Sequence, residues 1–332
     1  MGRILKQHGL GVKMPAVVFI LICNLFSCKP DDNFTIDYRV EMRDFVIGMS
    51  EYAKKQHPGF LIIPQNGQEL ITHNGDSNGI LHLKYVQSIN GLGREDLFFG
   101  YNSDDQATPE TEKDEMLCLC TLCVESGLEV LVTDYCSTPS KVDSSYRWNY
   151  QNGFISFAAP ERNLNVIPGY PVRPYGENSS SIDSIHDVRN FLYLINSENY
   201  KTKADFISAV SATWYDMVII DLFHFEEAYT SQEIEQLKKK PNGNKRMVVC
   251  YLSIGEAEDY RYYWKSDWDI AKPDWLEAEN PNWKGNYKVQ YWNRDWKQII
   301  FGNPDSYLDK IIATGFDGAY LDLVDAYEYF EE

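Results

Sequence analysis

The sequence predicts an α/β domain built on a parallel sheet, and three observations carry that expectation. Short apolar runs rich in Val, Ile, Leu, Phe and Tyr alternate with longer segments of helical periodicity from residue 37 onward. Eight such runs occur, and they are apolar almost without interruption, as in strands covered on both faces. No glycine-rich phosphate loop follows the early runs, which weighs against an open, doubly wound sheet. Eight strands alternating with helices point to a single (β/α)8 barrel of the TIM type.

The first element is a helix with no strand before it: "DYRVEMRDFVIGMSEYAKKQHPG" (37–59) sets Met42, Phe45, Val46 and Met49 on one face. The expected strands are "FLIIPQNG" (60–67), "YVQSINGLG" (85–93), "EVLVTDYC" (129–136) and "GFISFAAP" (153–160). Then come "NFLYLIN" (190–196), "DMVIIDLF" (216–223), "MVVCYLSIGE" (247–256) and "GAYLDLVD" (318–325). For the second of these, "DLFFGY" (96–101) is a competing choice. Clear helices lie between them: one opens with "TSQEIEQL" after Tyr229, and another runs from Ser306 to a stop at Gly315. The last strand leaves no residues for the helix that would normally follow it. A closed ring can be cut anywhere if its ends meet, so the N-terminal helix is expected to pack behind the C-terminal strand.

Residues 1–28 are not expected to belong to the fold. Arg3, Lys6 and Lys13 precede the apolar run Met14–Phe26, the layout of a secretory leader and too short for an ordinary membrane span. The run ends in "LFSC", which resembles the lipobox of bacterial lipoproteins. On that resemblance Cys28 is the lipidated first residue, residues 29–36 are a tether, and residues 37–332 are the folded domain. The expected location is the bacterial cell envelope, periplasmic or outer surface, with membrane contact only through the lipid.

The net charge of −18 argues against a nucleic-acid partner, which would need a basic face. The five cysteines beyond Cys28 are odd in number and irregularly spaced, so no disulfide framework is expected. "CLCTLC" lies in a helical segment, where cysteine behaves as a small buried hydrophobe. Six of the eight tryptophans fall between Glu256 and Ser306, an insertion expected above the functional end of the barrel. Trp264 is the one assigned to substrate.

Acidic residues recur where the strands end: Glu95, Asp134, Glu161, Asp221, Glu256, Asp322 and Asp325. In a barrel these positions converge on one rim. Two carboxylates facing each other across a cleft are the minimal apparatus for glycoside hydrolysis, and crowding raises the pKa of one of them. Carboxylates also bind divalent metals, but no H-E-x-x-H motif occurs, and no cofactor or metal is expected.

Four stretches, "YLSIGEAEDYRYYW", "NPNWKGNYKVQYW", "GFDGAYLDLVDAYEYF" and "FLIIPQNGQELI", resemble the bacterial and archaeal branch of glycoside hydrolase family 114, the endo-α-1,4-polygalactosaminidase-like family. The resemblance covers roughly residues 40 to 332 and implies a (β/α)8 barrel. In the usual family order the "PQNG" strand follows the "YLD" strand, whereas here it comes first, so the chain resembles a circular permutant. The resemblance implies Asp322 and Glu95 as the catalytic pair, with Asp221, Tyr251, Glu256, Asp325, Asn66 and Asp134 lining the cleft. It also implies endo-acting cleavage of an amino-sugar polysaccharide, whose cationic amines an acidic rim would attract. Two alternatives stay open: a surface lipoprotein that binds glycan without turnover, and a metal-dependent hydrolase. The stereochemistry and the identity of the acid stay open as well.

Overall fold

The computed structural model describes residues 36–268 and 270–331. The leader, Cys28 and the tether up to residue 35 lie outside the described residues. Helix α1 (Tyr38–Gln56) is capped by the Asp37 side chain, which accepts the Val40 N–H at 3.0 Å. Met42, Phe45, Val46 and Met49 form its buried face.

Eight parallel strands follow: β1 (Leu61–Pro64), β2 (Gly91–Glu95), β3 (Glu129–Tyr135), β4 (Ile155–Ala159), β5 (Phe191–Tyr193), β6 (Met217–Ile220), β7 (Met247–Ser253) and β8 (Gly318–Asp322). One parallel sheet has five strands in the order β5-β6-β7-β8-β1, and another has three in the order β2-β3-β4. A parallel bridge between Gln65 and Gly93 links the end of β1 to β2, and the Asn66 N–H donates to the Gly93 carbonyl at 2.9 Å. The first and last strands of the chain are therefore neighbours, with Leu61 opposite Gly318. Between β4 and β5 the Phe157 and Phe191 rings pack 5.8 Å apart. Strands β1, β5, β6 and β7 are buried along their whole length, which is why their sequences do not alternate.

Helices α2 (Leu83–Ser88), α3 (Glu110–Glu125), α4 (Pro139–Gln151), α5 (Lys203–Ser211), α6 (Ser231–Leu237), α7 (Arg294–Ile300) and α8 (Tyr307–Thr314) lie between the strands. Thr230 and Glu233 form a capping box at the start of α6, as "TSQE" suggests. Gly315 ends α8 at φ 91°, a conformation that favours glycine. In α3, Cys120 and Cys123 are buried while Cys118 is exposed.

Two expectations are corrected. Residues 85–88 of the second expected strand belong to α2, started by the His82 ring accepting the Tyr85 N–H at 3.2 Å, and the strand itself is Gly91–Glu95. "DLFFGY" is not a strand: the Phe98 and Phe99 N–H groups donate instead to the buried Asp134 carboxylate, at 2.8 and 3.2 Å.

After β8 the chain makes a short 3-10 turn (Val324–Tyr327) and one helical turn (Glu328–Glu331). Helix α1 lies against this segment. Arg39 donates to both Glu331 carboxylate oxygens at 3.0 Å, the Tyr38 ring packs 5.4 Å from Phe330, and the Tyr291 hydroxyl reaches the Tyr38 carbonyl at 2.8 Å. The exposed ion pair contributes little, so the aromatic packing is the stronger tie.

The insertion after β7 has its own small antiparallel sheet, in which Asn286–Val289 pairs with both Glu256–Glu258 and Leu276–Glu279. Trp268, Trp275 and Trp296 are buried in it, their rings in series 5.1 and 5.0 Å apart.

Candidate active site

Three adjacent strands, β8, β1 and β2, deliver Asp322, Gln65 and Glu95 to one end of the sheet. The Gln65 amide nitrogen donates to Glu95 Oε2 at 2.8 Å and to Asp322 Oδ1 at 2.9 Å. Those two oxygens therefore lie no farther apart than the two bonds laid end to end. Each of the three residues is followed by one in the left-handed region: Asn66 (φ 59°), Asp96 (φ 58°) and Leu323 (φ 59°). Asn and Asp tolerate that conformation, but for leucine it is strained, and strain of this kind gathers at functional sites. At β8 it folds the Leu323 N–H back onto Asp322 Oδ1 at 2.9 Å.

Each carboxylate has three donors. Asp322 accepts from Gln65, the Leu323 N–H and the Tyr251 hydroxyl, the last at 2.6 Å. Glu95 accepts from Gln65, Asn66 at 3.3 Å and the Tyr135 hydroxyl. Glycine at 93 keeps the floor open, because a Cβ there would fall 1.9 Å from the Tyr320 hydroxyl. Gly255 does the same under the β8 turn, where a Cβ would meet the Leu323 carbonyl at 2.3 Å.

Burial is the main influence on the charges. It raises the Glu95 pKa, against the Tyr135 hydrogen bond and with repulsion from Asp96. It lifts Asp322 to about 7, with the Glu95 charge as the next cause. Asp325 is also lifted to about 7, by burial and then by Glu328.

The pair opens onto a cleft of about 580 Å³ that is also lined by Asn66, Asp221, Tyr251, Glu256 and Asp325. Asp221 is held by Arg261 in a bidentate pair at 2.9 and 2.7 Å, and Arg261 also binds Glu258 at 2.5 Å. Glu256 accepts Asn280 at 2.8 Å and lies 3.4 Å from Lys288. Among the described residues no group of three or more His, Cys, Asp or Glu is arranged to hold a metal.

Asp134 and Trp264 do not join this cleft. Asp134 is fully buried and accepts the Ser145 hydroxyl at 2.6 Å and the Asn149 amide at 3.1 Å as well as the Phe98 and Phe99 N–H groups. It ties β3 to α4 and to the turn after β2. Trp264 packs on Trp268 at 5.0 Å and Tyr287 at 4.9 Å, inside the insertion. Glu161 is exposed. The tryptophan at the cleft is Trp283, which is half exposed. Gln65 and Tyr135, each next in sequence to an expected site residue, are not marked by any sequence pattern, yet both reach Glu95.

Residues 188–332 match the glycoside-hydrolase family GH114, and over this part the chain carries the sequence of that family. The resemblance drawn from the motifs is thereby borne out for the three that fall within it; "FLIIPQNGQELI" lies outside the matched stretch. An uncharacterized protein of Methanocaldococcus jannaschii is 42% identical over 159 residues, 47% of this chain and 42% of the relative. An uncharacterized protein of Thermotoga maritima is 40% identical over 129 residues, 37% of this chain and 36% of the relative. One of Deinococcus radiodurans is 38% identical over 122 residues, 37% of each chain. The chain thus spans less than half the length of the curated relatives it matches.

Proposed function

We propose that this protein is a retaining, endo-acting glycoside hydrolase directed at a cationic amino-sugar polysaccharide of the polygalactosamine type. The observation that carries the proposal is the single Gln65 nitrogen shared by Glu95 and Asp322. It holds the nearest oxygens inside the about 6.5–9.5 Å that inverting enzymes need for a water, and close to the about 5–5.5 Å of retaining ones.

The same geometry favours a division of roles. The rise in Glu95 comes from burial and Asp96, whereas the rise in Asp322 depends in part on the Glu95 charge. Two buried carboxylates this close favour holding one proton between them, and we assign that proton to Glu95 in the working state, with Asp322 ionised. Glu95 gives its proton to the glycosidic oxygen as the C1–O bond breaks, and an Asp322 oxygen bonds to C1. Water then attacks C1 and loses its proton to Glu95, which releases Asp322.

Seven carboxylates and three cations line the cleft, with Arg162 and Arg261 already paired to acids. That excess of negative charge supports a cationic substrate. Reducing-end release from α-1,4-linked galactosamine oligomers tests the reading, with Asp322→Asn as the blank. Release by both proteins, or by neither while both are folded, would overturn it.

The strand order, the Gln65–Gly93 bridge and the Phe157–Phe191 contact support one closed (β/α)8 ring. The contact of α1 with the C-terminal turns supports its being a circular permutant. On the sequence of the leader, we further propose that lipid on Cys28 holds the domain at the bacterial cell envelope. Cys28→Ala should then release it to the soluble fraction.

A further inference from the structure

A second cavity, of about 900 Å³, adjoins the cleft, and the two share Asn66 and Asp325 as lining residues. Asp325 differs from the other acids of the cleft. Asp221 and Glu258 are tied to Arg261, Glu256 to Asn280, and Glu198 to the Asn165 amide at 2.9 Å. The catalytic pair is saturated by its own donors. Among the described residues the Asp325 carboxylate has no hydrogen-bond and no ion-pair partner in another residue. Arg94, which lines the second cavity, acts on it only through space.

A half-buried carboxylate with no counter-ion costs stability unless a ligand supplies the missing charge. We propose that Asp325 is the ammonium receptor of the site: it takes the free 2-amine of a sugar where the glycan chain passes from the catalytic cleft into the second cavity, and so discriminates the free amine from the N-acetylated sugar. This rests on the glycan-hydrolase reading above and deepens it by naming the residue that selects the substrate. Several observations fit. Asp325 follows Asp322 by three residues in the turn that β8 feeds, and it lines the same cleft as the catalytic pair. The second cavity continues with Glu69, Asp76, Glu112 and Glu328, so a chain of amines leaving the cleft meets negative charge. An acetamide offers no positive charge, and placing it against an unpaired carboxylate forfeits the ion pair.

The test is calorimetric titration of the full chain with a galactosamine tetramer and with its N-acetylated counterpart, for the parent, Asp325→Asn and Asp325→Glu. The parent should bind the free-amine tetramer about tenfold or more tighter than the acetylated one. Asp325→Asn should lose most of that ratio, and Asp325→Glu should recover part of it. Glu51→Gln removes one exposed negative charge outside both cavities and should keep the ratio. A ratio unaltered in Asp325→Asn, or lost equally in Glu51→Gln, would overturn the proposal. Each protein is titrated with Asp322→Asn added, so that no oligomer is cut and the readout is binding alone; hydrolysis measured without that change reports on the broader reading separately.

Discussion

The Tyr251 hydroxyl donates to Asp322 Oδ2 at 2.6 Å, and with Gln65 and the Leu323 N–H it completes a shell of three donors around a carboxylate that burial would otherwise neutralise. The shell favours the charged form and burial opposes it. Tyr251→Phe removes one donor, so the Asp322 pKa should rise by about one unit. Since the reaction needs Asp322 ionised, the acidic limb of the kcat/KM profile should move to higher pH. A profile recorded from pH 4 to 9 checks the sign.

Burial of these acids also makes stability depend on pH. Asp322 and Asp325 are raised to about 7 in the folded chain, from the ordinary 3.8 of an aspartate. Between those values the folded state holds more protons than the unfolded one, so stability falls as pH rises through this window, and the full penalty is present above it. Asp322→Asn should therefore raise Tm at pH 8, by the equivalent of at least about 1 kcal/mol, and change it little at pH 4. Calorimetry at the two pH values separates the cases.

Asp134 makes the opposite kind of contribution. Its carboxylate accepts two backbone N–H groups, a hydroxyl and an amide, all buried. Asp134→Ala leaves those donors without a partner and should destabilise the fold by about 3 kcal/mol or more. Denaturant unfolding measures this. The folded fraction should keep the pH profile of the parent.

Why Asp134 reads as a site residue in the sequence, and is not one, follows from strand geometry. Residue Thr133 pairs with Glu95, so Thr133 and Tyr135 share the Glu95 face while Asp134 points to α4. A search for acids at strand ends finds Asp134; only the register shows that its neighbour Tyr135 is the one that reaches Glu95. Asn66 and its neighbour Gln65 both reach Glu95, and only the structure shows that Gln65 also spans to Asp322. Asp322 was legible because strand and carboxylate coincide in "YLD", and the helix-strand rhythm was legible because buried parallel strands are unbroken apolar runs. The tryptophans of the insertion were not separable, since a stacking surface and a small core use the same residue, and which role each takes depends on the fold of the loop. The short strand β2 was blurred because Tyr85 and Val86, apolar and β-prone, sit in a helix.

Arg261 lies between Asp221 and Glu258, with all three nearly buried. Arg261→Leu would leave two buried carboxylates without their cation, which costs about 3–5 kcal/mol. The expected result is a large fall in Tm at pH 8. Thermal unfolding of parent and variant reports it.

Charge attraction to an amine-bearing polymer is screened by salt, with a Debye length of about 10 Å at 0.1 M. KM for galactosamine oligomers should rise as sodium chloride is raised from 0.05 to about 0.5 M, with kcat much less affected. Initial-rate kinetics at a series of salt concentrations would show it.

The shared Gln65 nitrogen makes one outcome more informative than any other: the anomeric configuration of the first product. Proton NMR recorded during the first minutes of cleavage of an α-1,4-linked galactosamine oligomer reads it before mutarotation, with Asp322→Asn as the control. The α-anomer should appear first in the parent and no product in the variant. Initial release of the β-anomer would contradict a pair held this close.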